Sequence, residues 1–530
     1  MANFKIVTTF LIAILFSSEA FLDPSTYPKL IALLLTLIFV SFFQNFAHQP
    51  KSTWHILLIW TSIFITYVIY FGLDQVRSIL FGHPGRNLGL LSLLLALLTY
   101  SYFKNVSKLT SLKILLFSSS LVSVSFLVAK ILPNPPLLLA QYSYPLPDSI
   151  NQNIVSLFLS IGAISGLAHY FLLKAGDPWQ RSILLTSIAI CVFTLWRIGD
   201  AQSTLYLTIL IFVTVTLKRV KFALLKSTIL ILPYFLAPPA LLLLIQNLAL
   251  FKNALNQPLF ERLELTAMSF DYVIKQTISF RLPDTTADLQ IQVSTLGSQY
   301  VDNAHNVFLE FGISYGWLPM ALMLAILVIL FSVKTIEVSN SSCSFGVKVC
   351  KIALLLMIYA ALYLTILHPI TIFAIAVALS LIYSDTEILP KYTFKPVSLL
   401  GPIAKVKQRS DEVFRRINLP SKVRKSVSFS LFILPLMLTT FDVQQKLQFR
   451  KIEQALIAGQ VAPSKAVGEL FFLSLKMKDR EYLDYTGRQL AELRDCEKLG
   501  ELISTQNQLG IEDFSATLLA RWHQANCPYS

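Results

Sequence analysis

Residues 30–46 read LIALLLTLIFVSFFQNF, a run of 17 residues without a single charge. Wound as a helix at 1.5 Å per residue, it covers about 25 Å, close to the ~30 Å of a bilayer's hydrocarbon. Similar runs flank it at Phe4–Ala20 and Trp54–Leu73. The apolar character is continuous, with no in-out alternation, which excludes barrel strands and leaves helices as the spanning unit. Composition agrees over all 530 residues: 55% are apolar, 14% are charged, and mean hydropathy is +0.62. A soluble domain carries about a quarter charged residues. Further spans are expected near 89–103, 112–132, 150–173, 182–196, 201–217, 225–248, 315–333, 350–367, 370–384 and 427–441. The fold class is therefore an all-α polytopic membrane protein of about thirteen transmembrane helices. The first run, with Lys5 ahead of it and small residues at Ser18–Ala20, could instead be a cleaved signal peptide.

A net charge of +14 raises the question of nucleic acid, and its distribution answers it. Alternate numbering of the connections puts 24 Lys and Arg residues on one side, ten of them in residues 391–425. The other side, without the tail, receives nine: Lys29, Arg77, Arg86, Lys130, Arg197 and four within 249–304. By the positive-inside rule the N-terminus is cytoplasmic and the C-terminal tail is outside. The basic excess is a topology signal and a contact with anionic membrane lipid, and it requires no nucleic acid.

Residues 1–384 read as one multi-span domain containing a long external loop, 249–304. Residues 385–426 form a basic cytoplasmic linker with Pro390, Pro396, Pro402 and Pro420, and 427–441 is the last span. The tail, 442–530, is charge-balanced, with 11 basic and 12 acidic residues. Its Leu470, Leu473, Leu475, Tyr482, Tyr485, Leu490 and Leu493 predict amphipathic helices paired as a hairpin, on the pattern of a tetratricopeptide pair. Cys496 and Cys527 both fall there, where a disulfide is chemically permitted. No CxxC, HExxH, GxxxxGK[ST] or EF-hand pattern occurs, so no metal and no cofactor is indicated.

The external loop carries the chemistry-bearing residues. It opens on Pro258-Leu-Phe-Glu-Arg262, continues as an amphipathic stretch to Phe280-Arg281, and closes on Asp302-Asn-Ala-His305-Asn306-Val-Phe-Leu-Glu310-Phe-Gly312-Ile-Ser-Tyr-Gly316-Trp317. His305 stands just before a helix that returns to the membrane, where Asp302 or Asn303 can cap the N-terminus. An imidazole at such a boundary meets water and headgroup-depth substrate, and its unperturbed pKa suits proton transfer near neutrality. A lone interfacial histidine can equally serve as a cap or snorkel to the headgroups. Gly312 and Gly316, four apart, leave one helix face bare for a neighbouring helix or lipid chain.

The string AHNVFLEFGISYGW resembles the signature of the O-antigen ligase and polymerase superfamily (the Wzy-C group), in which an H-N-x-x-L-E segment closes a long periplasmic loop. Gly82-His-Pro-Gly85-Arg86-Asn87-Leu-Gly89 and Asn151-Gln-Asn153-Ile-Val-Ser156 resemble two further segments of one branch, and Arg262 resembles the arginine opening the loop's first helix. The resemblance covers roughly residues 75–335. It implies a GT-C-like, metal-independent glycosyltransferase. Its donor would be a glycan on undecaprenyl pyrophosphate, and its acceptor a hydroxyl of a lipid, a glycan or a protein. His305 would be the general base. Arg262, followed by Arg86, Arg281 and Arg197, would hold the departing pyrophosphate, for which the guanidinium fork is well matched. Asn306 and Glu310 would orient the histidine segment or cap its helix. The family's S-R-G segment has no counterpart arginine here: the stretch reads Ile198-Gly-Asp200-Ala-Gln202-Ser203, and either Arg197 substitutes or Gln202 marks another arrangement. The P-x-x-G-x-G after the loop's first helix is also missing. A transporter or flippase of lipid-linked sugar, or a scaffold for envelope assembly, is the alternative reading.

Overall fold

The computed structural model describes residues 2–17, 26–43, 51–72, 76–81, 89–142, 150–173, 178–247, 257–279, 306–364, 368–383, 443–477 and 480–508, with 522, 525 and 527. Among the described residues every regular element is a helix. The first eleven are α1 (Ala2–Leu15), α2 (Thr26–Phe43), α3 (Lys51–Phe71), α4 (Val76–Phe81), α5 (Leu90–Phe103), α6 (Lys108–Ala129), α7 (Leu137–Ala140), α8 (Gln152–Leu172), α9 (Pro178–Ile198), α10 (Ala201–Arg219) and α11 (Ala223–Gln246). Then come α12 (Gln257–Ile274), α13 (Val307–Tyr315), α14 (Trp317–Asn340), α15 (Phe345–Leu364) and α16 (Pro369–Tyr383). The tail adds α17 (443–457), α18 (Pro463–Met477), α19 (Arg480–Leu493) and α20 (Cys496–Gln508). Seven of these, α6, α8–α11, α14 and α15, are long and apolar enough to cross a membrane, and five more apolar helices are shorter. The chain is thus an all-helical, multi-pass membrane protein. The expected span 427–441 lies outside the described residues.

Side-chain size sorts the helices into centre and periphery. Glycine and serine let backbones approach, whereas large apolar residues suit lipid. In α8 the spanning window is 83% buried; in α11 it is 11% buried, and Leu224, Leu232, Phe235 and Leu243 face outward. α8 packs against α6, α9, α15 and α16. Its Gly162 and Gly166 set the contact distance. A Cβ added at Gly162 would overlap the Ser119 side chain of α6 and stand 3.1 Å from Leu115 O; one at Gly166 would meet Leu116 and Ile188 at 2.7 Å. The Ser119 hydroxyl donates to Phe158 O across the same seam at 3.0 Å.

Three central helices are short. α1 and α5 have 14 residues each and α16 has 15, which gives about 21–23 Å of helix against ~30 Å of hydrocarbon. Phe10, Phe103 and Phe373 bind the three together, with ring centroids 5.2–5.7 Å apart. A helix that stops early leaves carbonyls in need of donors. At the end of α1 they receive three in succession: Tyr142 OH to Ile14 O at 2.5 Å, Gln141 Nε2 to Leu15 O at 2.9 Å, and Lys29 Nζ to Phe16 O at 3.0 Å. Lys29 also bonds Gln141 Oε1 and sits 5.4 Å from the Tyr142 ring centre. Read as a loop charge in the sequence, Lys29 is in fact fully buried in the first turn of α2.

The tail helices pack as expected, with one exception. Leu470, Tyr482 and Leu490 are buried, and Leu473, Leu475 and Tyr485 pack partly against them, but Leu493 is 41% exposed. Cys496 and Cys527 form a disulfide, with Cα atoms 5.6 Å apart. The sequence left that pairing open.

Candidate functional site

The segment from Asn306 to Trp317 is built as two helices with a sharp break. The sequence reading placed Gly312 and Gly316 on one continuous face. The structure corrects it: Gly316 lies between α13 and α14 at φ +90°, in the left-handed region that favours glycine. A Cβ there would stand 2.7 Å from Thr277 O and 2.8 Å from Gln276 O. That proximity is the purpose of the break, because the chain after α12 is laced to it. Trp317 N donates to Gln276 O at 2.9 Å, Leu318 N to Thr277 O at 3.1 Å, and Ser279 N to Tyr315 O at 2.9 Å. The C-terminal ends of α12 and α13 are therefore tied together. Val273 of α12 packs on Leu309 and Ile313, and Gly312 makes room for it. At the same end, Tyr315 OH and Tyr67 OH of α3 share a hydrogen bond.

The other end of α13 is fixed by its cap. Asn306 Oδ1 accepts from Phe308 N at 2.9 Å and from Leu309 N at 3.2 Å, and Asn306 is 2% exposed. Asn306 is thus the cap of α13, its side chain taking the orphan donors of the first turn; Asp302 and Asn303, offered for that role by the sequence, lie outside the described residues. Glu310, in that first turn, is buried, where a carboxylate is favoured by the helix's positive end. Ser314 Oγ donates to Glu310 O at 3.2 Å.

Three segments singled out in the sequence meet around the C-terminal end of α15. Phe308, two residues after the cap, lies 4.7 Å from the Tyr363 ring. Gln202 Nε2 donates to Leu364 O at 2.6 Å, and Tyr206 OH donates to Gln202 Oε1 at 3.2 Å. Asp200 caps α10 by accepting from Ser203 N at 2.7 Å. It also accepts from Ser156 Oγ at 2.8 Å, while Gln152 Nε2 donates to Ile198 O at 2.7 Å. So the 151–156 stretch is bonded to the 197–203 stretch, and Gln202 carries that pair to the helix end on which Phe308 rests.

The remaining expectations divide by position. Arg197 is exposed in the last turn of α9, five residues before Gln202. Arg262 is described as backbone only, in the second turn of α12, the helix tied to α13. Arg86, Arg281, Asp302 and His305 lie outside the described residues. The sequence reading missed two groups. One is Tyr234, Tyr359 and Tyr363, which had no polar neighbours in sequence to mark them. The other is the Lys29 cluster, near which His368 is 3% exposed, with Nδ1 accepting from Ile370 N at 3.3 Å. Chemically, the site is a rigid, capped helix start with a buried carboxylate, preceded by one imidazole in the chain and flanked by an arginine-bearing helix.

The chain matches no family model, no curated protein and no solved structure.

Proposed function

We propose that this protein is a glycosyltransferase of the outer face of a bacterial inner membrane, moving a glycan from undecaprenyl pyrophosphate to an acceptor hydroxyl. The resemblance to the O-antigen ligase and polymerase group supplies the reaction. The observation that carries it onto this chain is the meeting of the 151–156, 197–203 and 306–317 stretches at one end of α15. These stretches are far apart in sequence; the resemblance matches the first and the third, and the second stands where the family's S-R-G segment is replaced. In the proposed step the acceptor oxygen bonds to the anomeric carbon as the bond from that carbon to the pyrophosphate oxygen breaks. The acceptor proton passes to His305, and undecaprenyl pyrophosphate leaves with the electron pair. Arg262, Arg86, Arg281 and Arg197 are the cations offered to the leaving group, and stabilising its charge is the larger share of such catalysis. Glu310 and Asn306 hold the helix that begins beside the base; Asp302 remains an assignment by sequence alone.

The seven long helices, the five shorter apolar ones and the 427–441 run would make up thirteen spans, with the 249–304 loop and the tail periplasmic. The 24-to-nine distribution of Lys and Arg supports that orientation. So does the Cys496–Cys527 disulfide, a bond that persists in oxidising compartments. In cells the full-length protein is expected to run faster on a non-reducing gel than Cys527→Ser. Closing a loop of this 31-residue separation contributes about 3–4 kcal/mol to the tail. A tail found wholly as free thiols in intact cells would reverse the orientation.

The function itself is tested in a strain deleted for the gene. Lipid-linked glycan should accumulate, the finished surface glycan should be lost, and the wild-type gene should restore both, read by gel and mass spectrometry. Unchanged glycans in the deletion strain would overturn the assignment.

A further inference from the structure

Three prolines lie inside α11: Pro233, Pro238 and Pro239. Proline lacks the N–H that would bond the carbonyl four residues back, so Pro238 leaves Tyr234 O without its intrahelical donor. In an apolar bundle a neighbouring helix must supply one. Tyr359 of α15 does so: its hydroxyl donates to Tyr234 O at 2.8 Å. The same hydroxyl lies 3.1 Å from Tyr363 OH, one turn further along α15. A phenol has one proton to give. With that of Tyr359 committed to Tyr234 O, the bond between the two tyrosines must run from Tyr363 to Tyr359. The result is a directed chain, Tyr363 O–H to Tyr359 Oη and Tyr359 O–H to Tyr234 O, in which each bond polarises the next.

The chain ends against the candidate site. The Tyr363 ring lies 4.7 Å from Phe308, and the Tyr359 ring lies 6.3 Å from it. At the other end, the Tyr234 and Tyr359 rings meet edge-on at 5.0 Å, and Tyr234 OH shares a hydrogen bond with Thr335 Oγ1 of α14 at 3.1 Å. Tyr234, Tyr359 and Phe308 are all buried. Two arms of the chain are therefore fixed to one post. α11 leads towards α12, which carries Arg262, and α13 starts after its cap Asn306, next to His305. α15 holds the first through Tyr359 and the second through Tyr363.

We propose that Tyr359 and Tyr363 are positioning residues: their hydrogen-bonded pair sets the proline-broken arm leading to Arg262 in register with the segment that carries His305, Asn306 and Glu310. What that register is for rests on the transferase reading; the mechanical coupling does not.

The test uses full-length protein in three forms: Tyr359→Phe, Tyr363→Phe and Tyr363→Leu. Amide hydrogen exchange is followed in peptides covering 223–246 and 307–315, alongside kcat and donor KM with an undecaprenyl-pyrophosphate glycan. Tyr359→Phe strands Tyr234 O, so exchange should rise about tenfold in both peptides, the size expected for one buried unpaired group. It should also lower kcat about tenfold while leaving donor KM nearly unchanged, since a misplaced arm costs turnover more than binding. Tyr363→Leu keeps Tyr234 O bonded and removes the ring from Phe308, so exchange should rise in 307–315 alone. It carries the test should Tyr359→Phe fail to accumulate. Tyr363→Phe, losing one donor, should fall between wild type and Tyr359→Phe. Faster exchange confined to 223–246 in Tyr359→Phe, or none in 307–315 in Tyr363→Leu, overturns the coupling. Coupled exchange in a protein that transfers no glycan would retain the coupling and remove the transferase reading.

Discussion

Replacing His305 with Ala is expected to lower glycan transfer about a hundred- to ten-thousand-fold, the range a positioned general base contributes. The variant should accumulate in the membrane like the wild type. The helix that follows does not depend on the imidazole: its cap is Asn306, its flank is Val273, and its far end is laced to residues 276–279. On the proposed reading the loss should fall on kcat, because the base would act on the acceptor proton as the bond forms, while arginines would hold the donor's phosphates. The measurement is a complemented deletion strain at matched protein levels, with lipid-linked donor quantified. Full restoration by the variant would remove His305 as base and bring the scaffold and transporter readings forward.

Gly162→Leu is expected to have the second largest effect, this time on folding. α6 and α8 cross with no space for a side chain at that point: a single Cβ already overlaps Ser119, whose hydroxyl is engaged with Phe158 O. Overpacking a filled interface costs roughly 1–3 kcal/mol, and more where backbone blocks relaxation, as Leu115 O does here. Because α8 is the most buried of the seven long helices, the strain cannot be released into lipid. The full-length variant should fall to a small fraction of wild-type level in membranes, and what remains should melt well below it in a detergent thermal-shift assay. Gly162→Ala should show the same defect in weaker form. Wild-type accumulation and melting of Gly162→Leu would show that α6 and α8 are not in this contact.

Much of the architecture was legible because lipid imposes a simple rule. A continuous apolar run must be a helix, and the all-helical, multi-pass character followed from that. What could not be read was how far each helix extends. α1 ends at Leu15, short of the expected Phe4–Ala20 span, where Tyr142, Gln141 and Lys29 offer donors to its last carbonyls. Those donors come from elsewhere in the chain, and no local pattern announces them. The break at Gly316 was hidden for a related reason. Two glycines four apart suit a bare helix face and a turn equally well, and only the chain at 276–278 decides between them. Within the site, position alone pointed to Asp302 or Asn303 as the cap, and Asn306 and Glu310 were named only through the family resemblance. The tyrosine chain was not read: Pro238 requires a donor for Tyr234 O, but which side chain supplies it depends on how α11 and α15 pack.

The central position of α8 has a consequence for how the protein is made. Ribosomes deliver helices to the membrane in sequence, and α8 emerges long before α15 and α16, two of the helices it packs against. Until those arrive, the part of α8 that they cover in the finished bundle faces either acyl chains or a temporary companion. α6 can cover one side at once, as the preceding long span. The other side stays open for most of the remaining synthesis, so biogenesis requires the insertion machinery to shelter a half-built seam.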